Sequence, residues 1–272
     1  MRRECGPNLL DRLDVHEPQR TVEDVDLGIS GRTAAVAAAS SGLGLASAVA
    51  LANEGVRVAI CSRDQGRVDD AIATIGHDAV GVVADVSTPD GATAFVADAT
   101  DALGTIDILV TNAGGPPPGT FTSTAVDAYP DALNLNLMSV VAMCKAAVPL
   151  MQARGWGRVV AITSISVRQP IGTLILSNTA RAGATAFLKT LAGEVAADGV
   201  TVNSVQPGLH ATNRLISLYG GDTSPAAAGI PAGFVGDPAD FGAVVAFLCS
   251  EHARFLTGAA IQVDGGAYAG LQ

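Results

Sequence analysis

Aromatic side chains are scarce in this chain: seven Phe, three Tyr and one Trp among 272 residues. A core with so few rings is assembled mostly from Ala, Val, Leu and Ile, which pack closely where elements are regular, and this points toward a layered α/β architecture. Cations are few as well. Sixteen Lys and Arg stand against 26 Asp and Glu, giving a formal net charge of −10 and a pI near 4.7. Binding a nucleic-acid backbone needs a positive stripe, and none is visible, so nucleic acid is not expected as a partner. The four cysteines include no Cys-x-x-Cys pair and no His partner at metal-ligand spacing, so no metal is expected. Cys61, Cys144 and Cys249 lie in apolar stretches and read as small core residues in a reducing compartment, while Cys5 sits in the N-terminal tail. No uninterrupted apolar run approaches a membrane span, and Met1-Arg2-Arg3 leads into acidic and polar residues rather than a signal-peptide core. A cytoplasmic protein with no membrane partner is expected.

What is present in quantity is small and apolar. Hydrophobic residues make up 49% of the chain and charged ones 15%, with 31 Gly and 13 Pro, which rules out disorder and collagen-like repetition. Residues 1–28 are polar, acidic and unpatterned, and read as an N-terminal extension, either a flexible tail or an oligomer arm. From residue 29 to 272 one domain is expected. Apolar strands at 33–37, 56–61, 80–84, 106–111, 157–163, 201–206 and 259–263 alternate with helices at 46–53, 65–75, 91–103, 129–154, 177–197 and 240–250. Such alternation implies right-handed βαβ crossovers and one seven-stranded parallel sheet with helices on both faces. The fold class is a single-domain α/β, doubly wound, Rossmann-type domain. A Gly/Ala/Pro-rich insertion at about 213–238 is a candidate lid over the carboxyl edge of the sheet.

The residues at that edge carry the chemistry. After the first strand, Ser40-Ser41-Gly42-Leu43-Gly44 forms a glycine turn feeding a helix, where free backbone N–H groups and the helix dipole suit a pyrophosphate. Asp85-Val86 closes the third strand, Thr111-Asn112-Ala113-Gly114 the fourth, and Ser164 the fifth; Asn136 lies on the intervening helix, and Pro207-Gly208 with Thr212 follows the sixth. Together with Val202-Asn203-Ser204-Val205-Gln206-Pro207-Gly208 and Val263-Asp264-Gly265-Gly266, these motifs resemble the short-chain dehydrogenase/reductase family in its ketoacyl-carrier-protein-reductase-like branch. The resemblance implies that Ser40 to Gly44 hold the pyrophosphate of NAD(P), that Asp85 and Val86 contact adenine, that Asn112, Ala113 and Gly114 flank the ribose, and that Pro207, Gly208 and Thr212 border the nicotinamide. Ser62-Arg63 stands where an NAD-type member places an acid. An arginine without that acid suits a 2′-phosphate, so NADP(H) is favoured and NAD(H) remains open. A homodimer or homotetramer built on the 129–154 and 177–197 helices is also implied.

Two departures from the family pattern stand out. Ala37-Ala38 replaces the opening Thr-Gly of the glycine motif. More consequential, the family's catalytic Tyr and the Lys four residues on fall at Ser177 and Arg181, while its Ser and Asn are matched by Ser164 and Asn136. Positions i and i+4 share a helix face, so Ser177 and Arg181 both point toward the cleft. An aliphatic hydroxyl is too weak an acid to replace a phenol, and a guanidinium does not relay protons. Arg181 still suits the nicotinamide ribose. Asn178, His210 and Tyr219 are further candidates for contact with a small-molecule substrate. The expected function is hydride transfer to or from a small carbonyl, imine or quinone-like substrate with a modified proton-transfer site. A non-redox lyase, cyclase or isomerase, or a catalytically silent nucleotide-binding subunit, is the alternative.

Overall fold

The computed structural model describes residues 25–271. Most of the expected extension, including Cys5, lies outside the described residues. Seven parallel strands form one sheet in the order β3-β2-β1-β4-β5-β6-β7: β1 Thr33–Val36, β2 Arg57–Ser62, β3 Val80–Val83, β4 Ile108–Thr111, β5 Gly157–Ile162, β6 Val200–Pro207 and β7 Ala260–Val263. The order reverses between β1 and β4, and this opens a crevice at the carboxyl edge.

Side-chain alternation along each strand feeds two cores. Ala34 and Val36 of β1 pack with α1 (Gly42–Asn53), α2 (Gln65–Ile75) and α9 (Pro238–Cys249) on one face, while Ala35 and Ala37 point to the other. That second face is covered by α3 (Pro89–Leu103), α5 (Ser139–Arg154) and α6 (Ile175–Val195). Small residues set the spacing. A Cβ at Gly242 of α9 would run into the Ala46 carbonyl of α1, so these two helices meet backbone to backbone. Cys61, Cys144 and Cys249 are buried free thiols, and burial pushes each up to about 12.

Helix α1 starts at Gly42 rather than at Ala46, because the glycine turn is already helical. The stretch expected as one helix from Tyr129 to Arg154 comprises α4 (Tyr129–Leu133), a π turn at Asn134–Met138 and α5. By length and composition alone, 126–154 is apolar enough to cross a bilayer, yet Met143, Cys144, Ala147, Val148 and Met151 on its inner side are buried in the core. The 213–238 insertion carries two short helices, α7 (Asn213–Leu218) and α8 (Ser224–Ala227), and among the side chains described there Asn213 alone lines the crevice.

Candidate active site

Among the helices that begin near the carboxyl edge, α1 differs from α2, α3 and α9 in its first turn. Asp64, Thr88 and Asp237 accept backbone hydrogen bonds at the starts of α2, α3 and α9. At α1 the Ser41 side chain makes no capping bond and no acid stands in the first turn. Gly42, Leu43 and Gly44 of that turn line the crevice, and the free N–H groups of a helix's first turn are the donor set a pyrophosphate requires. Gly44 packs against the rest of the turn: a Cβ there would lie 2.7 Å from Asn112 Nδ2 and 3.0 Å from the Ala38 oxygen. The residues present thus fit a dinucleotide.

The crevice has two compartments. One, of about 640 Å³, runs past Ser40, Ser41, Ser62, Arg63, Asp85 and Val86. Desolvation alone would raise the Asp85 carboxyl, but hydrogen bonds from Ser87 and the charge of Arg63 outweigh it and hold the group below its ordinary range. Arg67, in the first turn of α2, lines this compartment beside Arg63. Sequence reading passed over it, although Arg63-x-x-x-Arg67 at a helix start is a visible spacing. The Val86 side chain itself is buried in the core.

The other compartment, of about 410 Å³, brings together Gly42, Leu43, Gly44, Asn112, Ala113 and Gly114 with Ser164, Ser177 and Arg181, and is closed by Pro207, Gly208 and Thr212. Ser177 and Arg181, one turn apart on α6, are 7% and 9% exposed. Ser164 Oγ accepts the Ser166 N–H at 3.1 Å, which leaves its hydroxyl hydrogen to donate elsewhere. Arg181 donates from one terminal nitrogen to the carbonyls of Ile162 (3.0 Å) and Thr163 (3.1 Å) and from the other to Ala113 (3.5 Å), fastening the ends of β4 and β5 together. Asn136 sits in the π turn, where its amide donates to the Gly114 carbonyl at 2.9 Å while its own carbonyl oxygen is buried without a hydrogen bond.

Three candidate substrate residues fall elsewhere. His210 is 6% exposed, its ring set edge-on to Phe241 at 5.2 Å and its Nδ1 3.3 Å from the Gly208 oxygen. It is a packed residue between β6 and α9. Tyr219 lies at the surface after α7, lining neither compartment. Asn178 turns away from the cleft to donate to the Ile171 carbonyl at 2.9 Å, so it ties down the loop before α6. A further concavity, about 770 Å³, is an apolar groove between α1 and α9; it shares turn residues with the crevice but none of Ser164, Ser177 and Arg181.

A family model described as enoyl-(acyl carrier protein) reductase matches residues 37–268. The 3-oxoacyl-(acyl-carrier-protein) reductase FabG of Vibrio cholerae is 32% identical over 247 residues, 89% of this chain and 99% of that protein. This chain belongs to the short-chain dehydrogenase/reductase family. The L-sorbose reductase of Gluconobacter frateurii, solved with NADPH and L-sorbose, superposes on this family member with a TM-score of 0.86 at 33% identity, covering 91% of this chain and 100% of its own. A short-chain oxidoreductase of Pseudomonas aeruginosa PAO1, described as containing an atypical catalytic center, superposes with a TM-score of 0.84 at 29% identity, covering 90% of this chain and 100% of its own. As in its relatives, the short-chain dehydrogenase/reductase fold here is one of an oxidoreductase.

Proposed function

We propose that this chain is a cytoplasmic, NADP(H)-preferring reductase of a small carbonyl, imine or quinone-like compound, working with Ser164, Ser177 and Arg181 where the family's Ser, Tyr and Lys stand. The observation that carries the reading is the convergence of these three side chains in the compartment that adjoins the uncapped start of α1. The sorbose reductase solved with NADPH supports the choice of cofactor. So do Arg63, directly after β2, and Arg67, in the first turn of α2, with no acid in the place of Ser62.

When bound, NADPH supplies a hydride to an electrophilic carbon. Ser40 to Gly44 would hold its pyrophosphate, Arg63 and Arg67 its 2′-phosphate, and Asn112 to Gly114 would border its ribose. The Ser164 and Ser177 hydroxyls donate hydrogen bonds to the substrate oxygen, and the Arg181 charge favours the oxyanion that develops there. None of the three surrenders a proton readily near neutral pH, so the final proton comes from water or from the substrate itself. The loss of a phenolic acid costs on the order of 10²–10⁴ in rate for a simple ketone. Substrates that need little protonation, such as an iminium or a conjugated quinone, are spared most of that cost.

Fluorescence titration with NADPH and NADH tests the reading. NADPH is expected to bind about tenfold more tightly or better, with turnover highest on the imine and quinone arms of a substrate panel. Failure to bind either nucleotide overturns it.

A further inference from the structure

The glycine turn contains one residue in the wrong conformation for its type. Ala38 has φ +47°, in the left-handed region that an alanine side chain disfavours by a factor on the order of ten. It lines both compartments of the crevice, two residues before Ser40. Something must hold it there.

Two side chains do. The Ala38 N–H donates to Cys61 Sγ at 3.3 Å, and the Ala38 carbonyl accepts from Asn112 Nδ2 at 3.1 Å. Backbone bonds fix the residues on either side: Ala37 N–H to the Val110 carbonyl at 3.0 Å, and Ala39 N–H to the Cys61 carbonyl at 3.1 Å. Cys61 is fully buried near the end of β2, facing the α3 side of the sheet. Its thiol stays protonated and neutral, pushed up to about 12 by burial, so it is a soft acceptor and not a nucleophile. Without that sulfur the Ala38 N–H has no other acceptor among the hydrogen bonds described, and the left-handed turn loses one of its two side-chain ties.

We propose that Cys61 is a positioning residue for the nucleotide turn, its sulfur holding Ala38 in the left-handed conformation that a glycine would adopt unaided. The proposal rests on the nucleotide-binding reading above. It assigns Cys61 a part in cofactor affinity although it lies beneath the crevice and lines neither compartment.

The test is a double-mutant cycle of Cys61→Ala and Ala38→Gly, read both as NADPH affinity and as the melting temperature of the cofactor-free protein. Cys61→Ala is expected to weaken NADPH binding on the order of three- to tenfold, the worth of one hydrogen bond. In the Ala38→Gly background the same change should cost less than twofold, because glycine needs no help to stay left-handed. Ala38→Gly alone should bind at least as tightly as the wild type. Equal losses of affinity and melting temperature in both backgrounds would mean that Cys61 only fills space, and would overturn the proposal. If Cys61→Ala does not fold, a folded and binding double variant supports it and an unfolded one sinks it. If the wild type binds no NADPH, the cofactor reading falls while the clamp is still decided by melting temperature: the loss on Cys61→Ala must be smaller in the Ala38→Gly background than in the wild type.

Discussion

Ser177 is buried against a compartment of about 410 Å³, so the space a phenol ring needs is available in front of it. If a missing acid is what separates this site from the family's, Ser177→Tyr combined with Arg181→Lys should raise the turnover of a simple ketone by tenfold or more, toward the 10²–10⁴ that a general acid typically contributes. Steady-state rates at saturating NADPH check this; a double variant that binds cofactor and gains nothing shows that the defect lies elsewhere. Arg63 makes a separate prediction. Its side chain is exposed at the rim beside Asp85, and its charge lowers that carboxyl. Charge-assisted bonds to a phosphate contribute about 1.5–3 kcal/mol, so Arg63→Ala should cut the NADPH-over-NADH preference by about tenfold or more, with NADH affinity little changed. The ratio of the two dissociation constants is the measurement.

Elements were legible in the sequence where period and punctuation agreed. Helix α2 has the bounds expected from Gln65 to Ile75, with Asp64 before it and Gly76 after it. The start of α1 was misplaced because Gly42 and Gly44 read as turn, although free N–H groups at a helix start are what the site uses. The π turn around Asn136 has no signature in apolar spacing, because one extra residue in a helical turn leaves the pattern almost intact. His210 looked like chemistry because it followed Pro207-Gly208; its burial is set by α9, which sequence proximity does not reveal. That burial has a pH consequence. Desolvation lowers the ring's affinity for protons below the ordinary value of 6.5, against smaller opposing effects from the Gly208 carbonyl, Asp237 and Asp240. The unfolded chain therefore takes up a proton near pH 6.5 that the folded chain refuses until lower pH. The stability it contributes is complete above pH 6.5 and is lost as the pH falls below it. Melting temperature should drop between pH 6.5 and 5.5, and His210→Gln should flatten that part of the curve. The contact of α9 with α1 is equally specific: Gly242→Ala places a methyl against the Ala46 carbonyl and should destabilise by about 1–3 kcal/mol in chemical denaturation.

Over the whole molecule, the two ends of the sheet do different work. The amino edge is locked by Trp156, which lies between the guanidinium groups of Arg32 at 3.9 Å and Arg158 at 4.2 Å and donates to Glu251 at 2.6 Å. Arg158 is 2% exposed and also faces Glu251 across 3.6 Å. The carboxyl edge carries the crevice, the strained Ala38 and the side chains proposed for chemistry. Between these ends runs the helical stretch 126–154, whose inner side belongs to the core while Met138 and Leu150 on its outer side are 40% and 46% exposed. An outward apolar helix face on a chain of net charge −10 calls for a cover, and a second copy of the chain offers a matching one, since like surfaces pair across a two-fold axis. We therefore expect a dimer or tetramer in solution, with Leu150 in the interface. Leu150→Glu puts two like charges together across the axis and should shift the mass measured by light scattering toward the monomer. The fold should survive, because Leu150 is too exposed to support the core. A wild type that is already monomeric at micromolar concentration would leave that helix face as ordinary surface.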